Sequence, residues 1–398
     1  MRLLHTGDWH LGKRLYGTER TAEARRSLDE IALIAEQEEV DAVIVAGDLL
    51  DRRVVDPAAF GLCLRALGRL AQVAPVLVVA GNHDDPDLWI HLAPHLALSG
   101  IHVAGRVQAA ADAVVTVPTA AGPLHAALLP WPDPARMALE AGSSVRDARG
   151  RYAEGVSGIL AAYAAEARRR RAEDGGAAVL VGHLMVDKAL AGGGERELTM
   201  GITYVVSPAA LPADLDYIAL GHVHRPQTIP GLAAPGRYAG SPIALDFSED
   251  NHAKSAVIVE IAGDTTRSRE VPLTAGHPLV RIRGPLAGLA ALASDHPEAW
   301  FACEVELDGP VLDLVRQVRE AVPRALRVEP RYPEAPEPAE ADAEDGGAAP
   351  GADLGRLYEE WCRLQGRPLP PAQAAAFAAA VAAAADGDGD ADDGAGAP

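Results

Sequence analysis

The chain has 398 residues, 48% of them apolar, and a formal net charge of −20. That length suits two or three domains with a sizeable core. The acidic balance by itself argues against nucleic acid, whose phosphates are normally met by Lys and Arg. The charge is uneven, however: from residue 333 onward 14 acidic residues stand against 3 basic ones, a net of −11, which leaves −9 on the remainder.

Residues 1–8 lack the long apolar core of a signal peptide and read as a first strand through Leu3-Leu4-His5. Leu28, Ile31, Ala32 and Ala35 mark an amphipathic helix. Strand-like runs follow at residues 42–46 and 76–80, with a helix at 58–70 between them. A helix at 152–171 precedes further strand runs at 179–181, 217–220 and 256–259. These short apolar runs suit strands buried on both faces. The basic run Arg168 to Arg171 reads as a solvated helix face. After Pro272 a smaller strand–helix–strand–helix pattern runs through residues 279–283, 286–293, 300–307 and 312–322.

The expected organisation is a first domain over residues 1–275 and a small α+β domain over 276–332. A Pro-, Ala- and acid-rich linker at 333–353 has almost nothing to bury and reads as disordered. Helical spacing returns at 354–385, where Leu357, Tyr358, Trp361 and Leu364 form an apolar stripe, and the acidic tail 386–398 reads as disordered. No run of about 18 apolar residues is present, so no membrane span is expected. Cys63, Cys303 and Cys362 lack C-x-x-C spacing, which excludes a thiolate zinc site and fits a reducing cytoplasm.

Five polar clusters each follow a strand-like run: Asp8-Trp9-His10, Gly47-Asp48-Leu49-Leu50-Asp51, Gly81-Asn82-His83-Asp84, Gly182-His183 and Gly221-His222-Val223-His224. In α/β folds the loops at the carboxyl ends of strands carry the chemistry, so the clusters are expected to meet on one rim. They are an inventory of oxygen and imidazole donors without thiolate, which suits Mn²⁺, Fe²⁺ or Zn²⁺ and not Ca²⁺ alone. Taken singly, each cluster is a turn with a capping Asp or an ordinary His. All five in order make a specific signal.

On these five motifs the chain resembles the calcineurin-like metallophosphoesterase superfamily. The resemblance implies an α/β fold, a metallophosphoesterase β-sandwich flanked by helices, with a small α+β capping domain and carboxyl-terminal helices. It implies that Asp8, His10, Asp48 and His224 hold one metal ion, and that Asp48 bridges to a second held by Asn82, His183 and His222. His83 would stand beside the scissile phosphate as acid or transition-state stabiliser. Asp51 matches the acid that orients this His in related phosphatases, Asp84 sharing that role, although Asp51 also reads as a helix cap. Two-metal chemistry polarises the phosphoryl oxygens and stabilises attacking and leaving oxygens alike.

Two further segments narrow the resemblance to the bacterial SbcD nuclease family: HTGDWHLGKRLYG at residues 5–17, and Tyr238-Ala239-Gly240-Ser241-Pro242-Ile243 continuing to Phe247-Ser248-Glu249. Asp at position 51 matches bacterial members, where archaeal and eukaryotic relatives often have His. The resemblance implies a DNA exonuclease and single-strand or hairpin endonuclease serving DNA replication, recombination and repair. It also implies two divalent ions, Mn²⁺ foremost, and a dimer within a heterotetramer containing an SMC-like ATPase of the SbcC type. That ATPase would bind the 354–385 segment. Lys13, Arg14, Arg52 and Arg53, just past the first two motifs, are candidate phosphate contacts, with solvated surface charge as the other reading. A small-substrate phosphodiesterase, a protein phosphatase or a non-catalytic scaffold are the competing functions. Intact ligand positions speak against the last.

Overall fold

The computed structural model describes residues 1–332 apart from 55, 141–144, 188, 191–203, 250–252 and 310, together with a few residues between 358 and 378. Twelve strands build two six-stranded sheets. The first sheet contains β1 (Arg2–Thr6), β2 (Ala42–Val45), β3 (Val76–Val79) and β4 (Ile101–Ala104), mutually parallel and adjacent in that order. The second contains β5 (Val114–Thr119), β6 (Gly122–Leu129), β7 (Ala177–His183), β8 (Tyr217–Gly221), β9 (Gln227–Thr228) and β10 (Gly236–Tyr238), in the order β9-β10-β8-β7-β6-β5. The antiparallel pair β11 (Ser255–Ala262) and β12 (Thr265–Pro272) returns to the first sheet on the free side of β1.

Successive strand residues point to opposite faces, and here both faces are covered. Leu3, Ile44, Leu77 and Val79 meet Leu124, Val179, Val181 and Tyr217 in a core between the sheets. Their neighbours Leu4, Val43, Val45, Val76 and Val78 face outward onto helices α1 (Thr21–Gln37), α2 (Pro57–Ala71) and α3 (Pro86–Ala97). Helix α4 (Val145–Asp174) lays Val156, Leu160 and Tyr163 on the outer face of the second sheet, against Leu180, Ile218 and Leu220. Each such side chain contributes about 1.5–3 kcal/mol by leaving water. The result is a helix-flanked β-sandwich. Helices α2 and α3 start on the same device, an Asp-Pro pair: Asp56 caps the Ala58 amide at 2.7 Å and Asp85 caps the Asp87 amide at 3.0 Å, each with Pro in the first turn.

The residues Met1–Pro333 form one compact unit. Within it, β13 (Leu279–Pro285), β14 (Trp300–Glu306) and β15 (Ala325–Arg331) make a parallel three-stranded sheet. Helices α5 (Leu289–Ser294) and α6 (Leu314–Ala321) close its core on Ile282, Leu289, Phe301, Val305 and Val318. The strand-like and helical runs read at 279–322 are present, and β15 is an addition to them. This layer is tied to α1 by a buried ion pair: Arg20 donates to Glu23 at 3.0 and 2.6 Å, and Glu23 also accepts from the Trp300 indole at 2.9 Å and the His277 amide at 3.0 Å. The Arg324 guanidinium covers the other side of that indole, 4.5 Å from a ring centroid.

The second unit is Glu334–Pro398. There the Tyr358 and Phe377 rings stack with centroids 4.3 Å apart. Leu357, Trp361 and Leu364, the expected linker and the acidic tail lie outside the described residues. Cys63, Cys303 and Cys362 are all free and buried. Among the described residues no helix is long and apolar enough to cross a membrane. The run Arg168 to Arg171 is paired throughout with Glu166, Glu173, Asp214 and Asp216.

Removing one partner of a buried, hydrogen-bonded pair strands the other's charge, at a cost of roughly 3–5 kcal/mol. Glu23→Ala is therefore expected to lower the stability measured by urea unfolding by that amount, and Glu23→Gln, which keeps an acceptor for Trp300, by less. Equal midpoints for Glu23→Ala and the unaltered chain would show that the pair does not hold the layer.

Candidate metal centre

All five polar clusters lie at the carboxyl ends of β1, β2, β3, β7 and β8, so the two sheets deliver them to one end of the sandwich. The loops there are locally strained. Four of the seven non-glycine residues with positive φ among the described residues are Asp8 (51°), His10 (44°), Asp48 (49°) and His222 (104°). Such conformations persist only where surrounding contacts over-determine them, and they gather at functional sites. Two glycines allow the loops to interleave. A Cβ on Gly81 would strike the Asp48 carboxylate, and one on Gly221 the Ala46 carbonyl.

The donors converge in three overlapping groups whose ligand atoms lie within 4.8 Å of one another: Asp8, His10 and His224; Asp8, Asp48 and His183; and His10, Asp48 and His83. Asn82 joins them, its Oδ1 3.0 Å from His183 Nε2 and 2.9 Å from His222 Nδ1. Asp48 belongs to two of the groups, its Oδ2 3.4 Å from His183 Nε2 and 3.6 Å from His10 Nε2. All seven residues singled out as ligands from sequence are thus brought together, with Asp48 between the two sides.

The backbone aims these side chains. Asp8 accepts the His222 amide at 2.9 Å, and Asp48 the His83 amide at 2.8 Å. His183 donates Nδ1–H to the Ala46 carbonyl at 2.8 Å, and His224 donates Nδ1–H to Glu249 at 3.0 Å. Those donations leave Nε2 of each ring as a lone-pair donor. His224 Nε2 faces His10 Nε2 at 3.1 Å, His183 Nε2 faces the Asp48 and Asn82 oxygens, and His222 Nδ1 faces the Asn82 oxygen at 2.9 Å. Convergent lone pairs in a buried space are what cations satisfy, and the donor set fits a dinuclear divalent-metal site.

Electrostatics of the protein alone agree with that need. Burial pushes the Asp8 carboxyl up to about 6, although His183 and His224 pull it back. Burial lowers His10 to about 4 and His222 well below the usual imidazole range. Burial would do the same to His183, but the Asp48 carboxylate overcomes it and holds that ring at about 9. Bound cations invert this logic, favouring carboxylate and neutral imidazole together.

Asp51 and Asp84 are placed differently from the expectation that their carboxylates orient His83. His83 Nδ1 is held at 2.8 Å by the backbone carbonyl of Asp51, whose carboxylate lies 3.5 Å from His10 Nδ1 and 3.6 Å from Lys13 Nζ. Asp84 accepts from the amides of Gly81, Leu50 and Leu49 at 2.9, 3.0 and 3.2 Å, clamping the β2 and β3 loops together. The Asp84 carboxylate serves the loops, the Asp51 carboxylate faces His10 and Lys13, and the Asp51 carbonyl serves His83. Of the basic candidates, Lys13 and Arg52 flank Asp51, and Arg14 faces Glu19 at 3.9 Å. Arg53 lines a cavity beside the centre.

Two residues without a role in the sequence reading complete the site. Glu249, fully buried, orients His224 and is itself held by Lys254 Nζ at 2.6 Å and the Leu245 amide at 3.1 Å. Burial alone would raise its carboxyl, but Lys254 and His224 bring it down to about 2. Trp131 stacks on His222 with centroids 5.2 Å apart. Glu249 belongs to the Phe247-Ser248-Glu249 segment noted in the sequence, but no spacing rule links it to a His 25 positions away.

Residues 1–226 match the family described as calcineurin-like phosphoesterase, and residues 275–359 the family described as type 5 capsule protein repressor C-terminal domain. The SbcD subunit of the SbcCD nuclease of Bacillus subtilis (strain 168) is 32% identical over 389 residues, covering 90% of this chain and 97% of the relative. The chain belongs to the SbcD family. It is a hydrolase of phosphodiester bonds. The SbcD-family proteins of Escherichia coli (strain K12), 32% identical over 83% of this chain and 84% of that one, and of Rhodobacter capsulatus, 31% identical over 90% and 93%, carry the same name. Among solved structures, a dimetal phosphatase from Danio rerio is similar with a TM-score of 0.43 and 12% identity, over 69% of this chain and 99% of that one.

Partners that orient a metal-ligating His typically change metal affinity about 10–100-fold when removed. Glu249→Ala is expected to weaken the first Mn²⁺ or Zn²⁺ bound by that factor in calorimetric titration, with Glu249→Gln intermediate. Equal affinity in all three proteins would deny Glu249 its part in the centre.

Proposed function

We propose that this chain is the nuclease subunit of a DNA end-processing complex, cleaving DNA phosphodiester bonds at a dinuclear centre in concert with an SMC-like ATPase of the SbcC type. The observation that carries this reading is the convergence of seven oxygen and nitrogen donors beside His83, in a chain that aligns along nine-tenths of its length with a protein named as a nuclease subunit. The same reading includes Mn²⁺ as the ion, a dimer within a heterotetramer, and a cytoplasmic site of action. Duplex exonuclease and single-strand or hairpin endonuclease activities belong to it too. Residues 276–332 serve as the capping domain, and residues 354–385, with Leu357, Tyr358, Trp361 and Leu364, as the ATPase-binding segment.

Asp8, His10, Asp48 and His224 would hold one ion, and Asp48, Asn82, His183 and His222 the other. When bound, the ions supply Lewis-acid polarisation of the phosphoryl group and an activated water. The protein's own part is positional. Asp48 is held by the His83 amide, so the carboxylate that would serve both ions and the His83 imidazole are positioned by one hydrogen bond. His83 donates Nδ1–H to the Asp51 carbonyl, which leaves Nε2 to carry the proton that the departing alkoxide needs. Asp84 fixes the spacing of the two loops that bear Asp48 and His83. Arg52, Lys13 and Arg14 lie just outside this cluster and would meet flanking phosphates as their acidic partners release them.

His83→Ala should keep both metal ions, as counted by elemental analysis, and lose about 10²–10⁴-fold in Mn²⁺-dependent cleavage of end-labelled DNA. Asp48→Ala should lose metal as well as activity. A metal-depleted His83→Ala protein would make His83 a ligand, and near-normal turnover by Asp48→Ala would overturn the dinuclear assignment.

Short helices gain stability mainly by packing an apolar face, and a Trp and a Tyr on one stripe are typical anchors in a groove. Truncation after Pro350 should therefore abolish co-purification with the ATPase while metal-dependent cleavage by the remaining chain persists. Retained binding by the truncated chain would place the partner's contact elsewhere.

A further inference from the structure

A cavity of about 440 Å³ opens beside the metal centre, between the start of α3 and the segment that follows β6. It borders the centre: Gly81 and Asp84, on either side of Asn82 and His83 in the chain, form part of its wall, and so does Trp131, whose ring stacks on His222. Val107, Met137 and Ile159 give the lining its apolar side chains. Its volume lies within the range of small-ligand sites.

We propose that this cavity receives an unpaired nucleobase adjoining the scissile phosphate, and that it sets how the strand is presented to the metal centre. The inference rests on the nuclease reading above and deepens it. The character of the walls selects among the parts of a nucleotide. Three carboxylates (Asp85, Asp87 and Asp133) balance three guanidinium groups (Arg53, Arg106 and Arg136), with Arg106 paired to Asp87 at 2.5 Å, while the Asp84 carboxylate is turned into the loops. A phosphate dianion has no net attraction to such a lining. A base does: it offers a π-face to Trp131, apolar area to Met137 and Ile159, and exocyclic amino groups to Asp85 and Asp133. Stacking on an aromatic ring tolerates every base, as an end-processing nuclease requires. A base can enter only if unpaired, because a flat ring inside a duplex cannot reach a cavity beside the phosphate. The cavity thus couples cleavage to strand opening at the end or loop being processed.

The test uses the full chain with Mn²⁺ and two end-labelled single strands of equal length. In one of them the three terminal nucleotides at each end carry the abasic tetrahydrofuran residue. The unaltered chain should cleave the intact end roughly ten- to hundredfold better in kcat/KM, as expected for loss of one base–aromatic stack. Two substitutions that fill the cavity, Ala135→Trp on its rim and Val107→Trp on its wall, should each bring that ratio towards one with metal content unchanged. Equal cleavage of intact and abasic ends by the unaltered chain overturns the proposal, and so does a ratio that neither substitution lowers. Failure of the unaltered chain to cleave either strand overturns the nuclease reading itself and this inference with it. Preference for the intact strand, lost on filling the cavity, supports both.

Discussion

The constraint on which this structure turns is the burial of two carboxylates and four imidazoles at one end of the sandwich. Asp8 and His183 are fully buried, and Asp48, His10, His222 and His224 are nearly so. Taking ionised groups out of water costs several kcal/mol each unless partners close the charge, and the buried strands beneath the loops hold these side chains away from solvent. The opposed shifts of Asp8 and His10, one pushed up by burial and the other down, express that cost. The protein does not relieve it by pairing each acid with an Arg or Lys. It supplies backbone contacts instead, amides to Asp8 and Asp48 and a carbonyl to His183, which fix direction without filling the remaining lone pairs. That arrangement is pre-organised for cations.

Pre-organisation of this kind has a conformational cost, visible in the left-handed backbone of Asp8, His10, Asp48 and His222. Each sits where a parallel strand ends and the chain must turn sharply back under the centre. The cost is met by packing: β1, β2 and β3 are buried on both faces, so their ends cannot drift. Gly81 and Gly221 provide the close approach that a side chain would forbid. The same economy explains why one residue serves two purposes at once. The amide of His83 holds Asp48 while its imidazole is held by the carbonyl of Asp51, whose own carboxylate faces His10 and Lys13.

Much of this was legible in the sequence because the strands that carry ligands are the apolar, β-branched ones, such as residues 42–45 and 76–79, and each ends in a short polar cluster. The strands left unread explain themselves. Gly122–Leu129 contains Gly, Pro, His and two Ala, and Ala325–Arg331 carries three Arg or Glu side chains, so neither has a local preference for β structure. Neighbouring strands impose it. Helix α3 was hidden by Pro94 in its interior and by an apolar content too uniform to show a face. In the site, residues within a motif were readable, whereas Glu249, Lys254 and Trp131 reach the centre through tertiary packing alone. Asp51 and Asp84 mark the limit of motif reasoning: their positions are those of an acid beside His83, but which atom faces which partner depends on loop geometry.

The net acidity then acquires a physical meaning. Lys13 and Arg52 flank Asp51, Arg14 faces Glu19, and Arg168 to Arg171 are committed to carboxylates on α4 and the loop before β8. Sequence-independent affinity for DNA scales with the number of phosphates neutralised by protein cations, and residues already engaged with acids contribute little to that number until the acids let go. Attraction for a phosphodiester must therefore be concentrated where the cations of the metal centre are. A surface that is acidic around a strongly cationic point disfavours long stretches of duplex lying across it and favours a single phosphate brought to it. Long-range attraction by side-chain cations is thus weak on this surface, and the chain's own chemistry is confined to the single phosphate that reaches the centre.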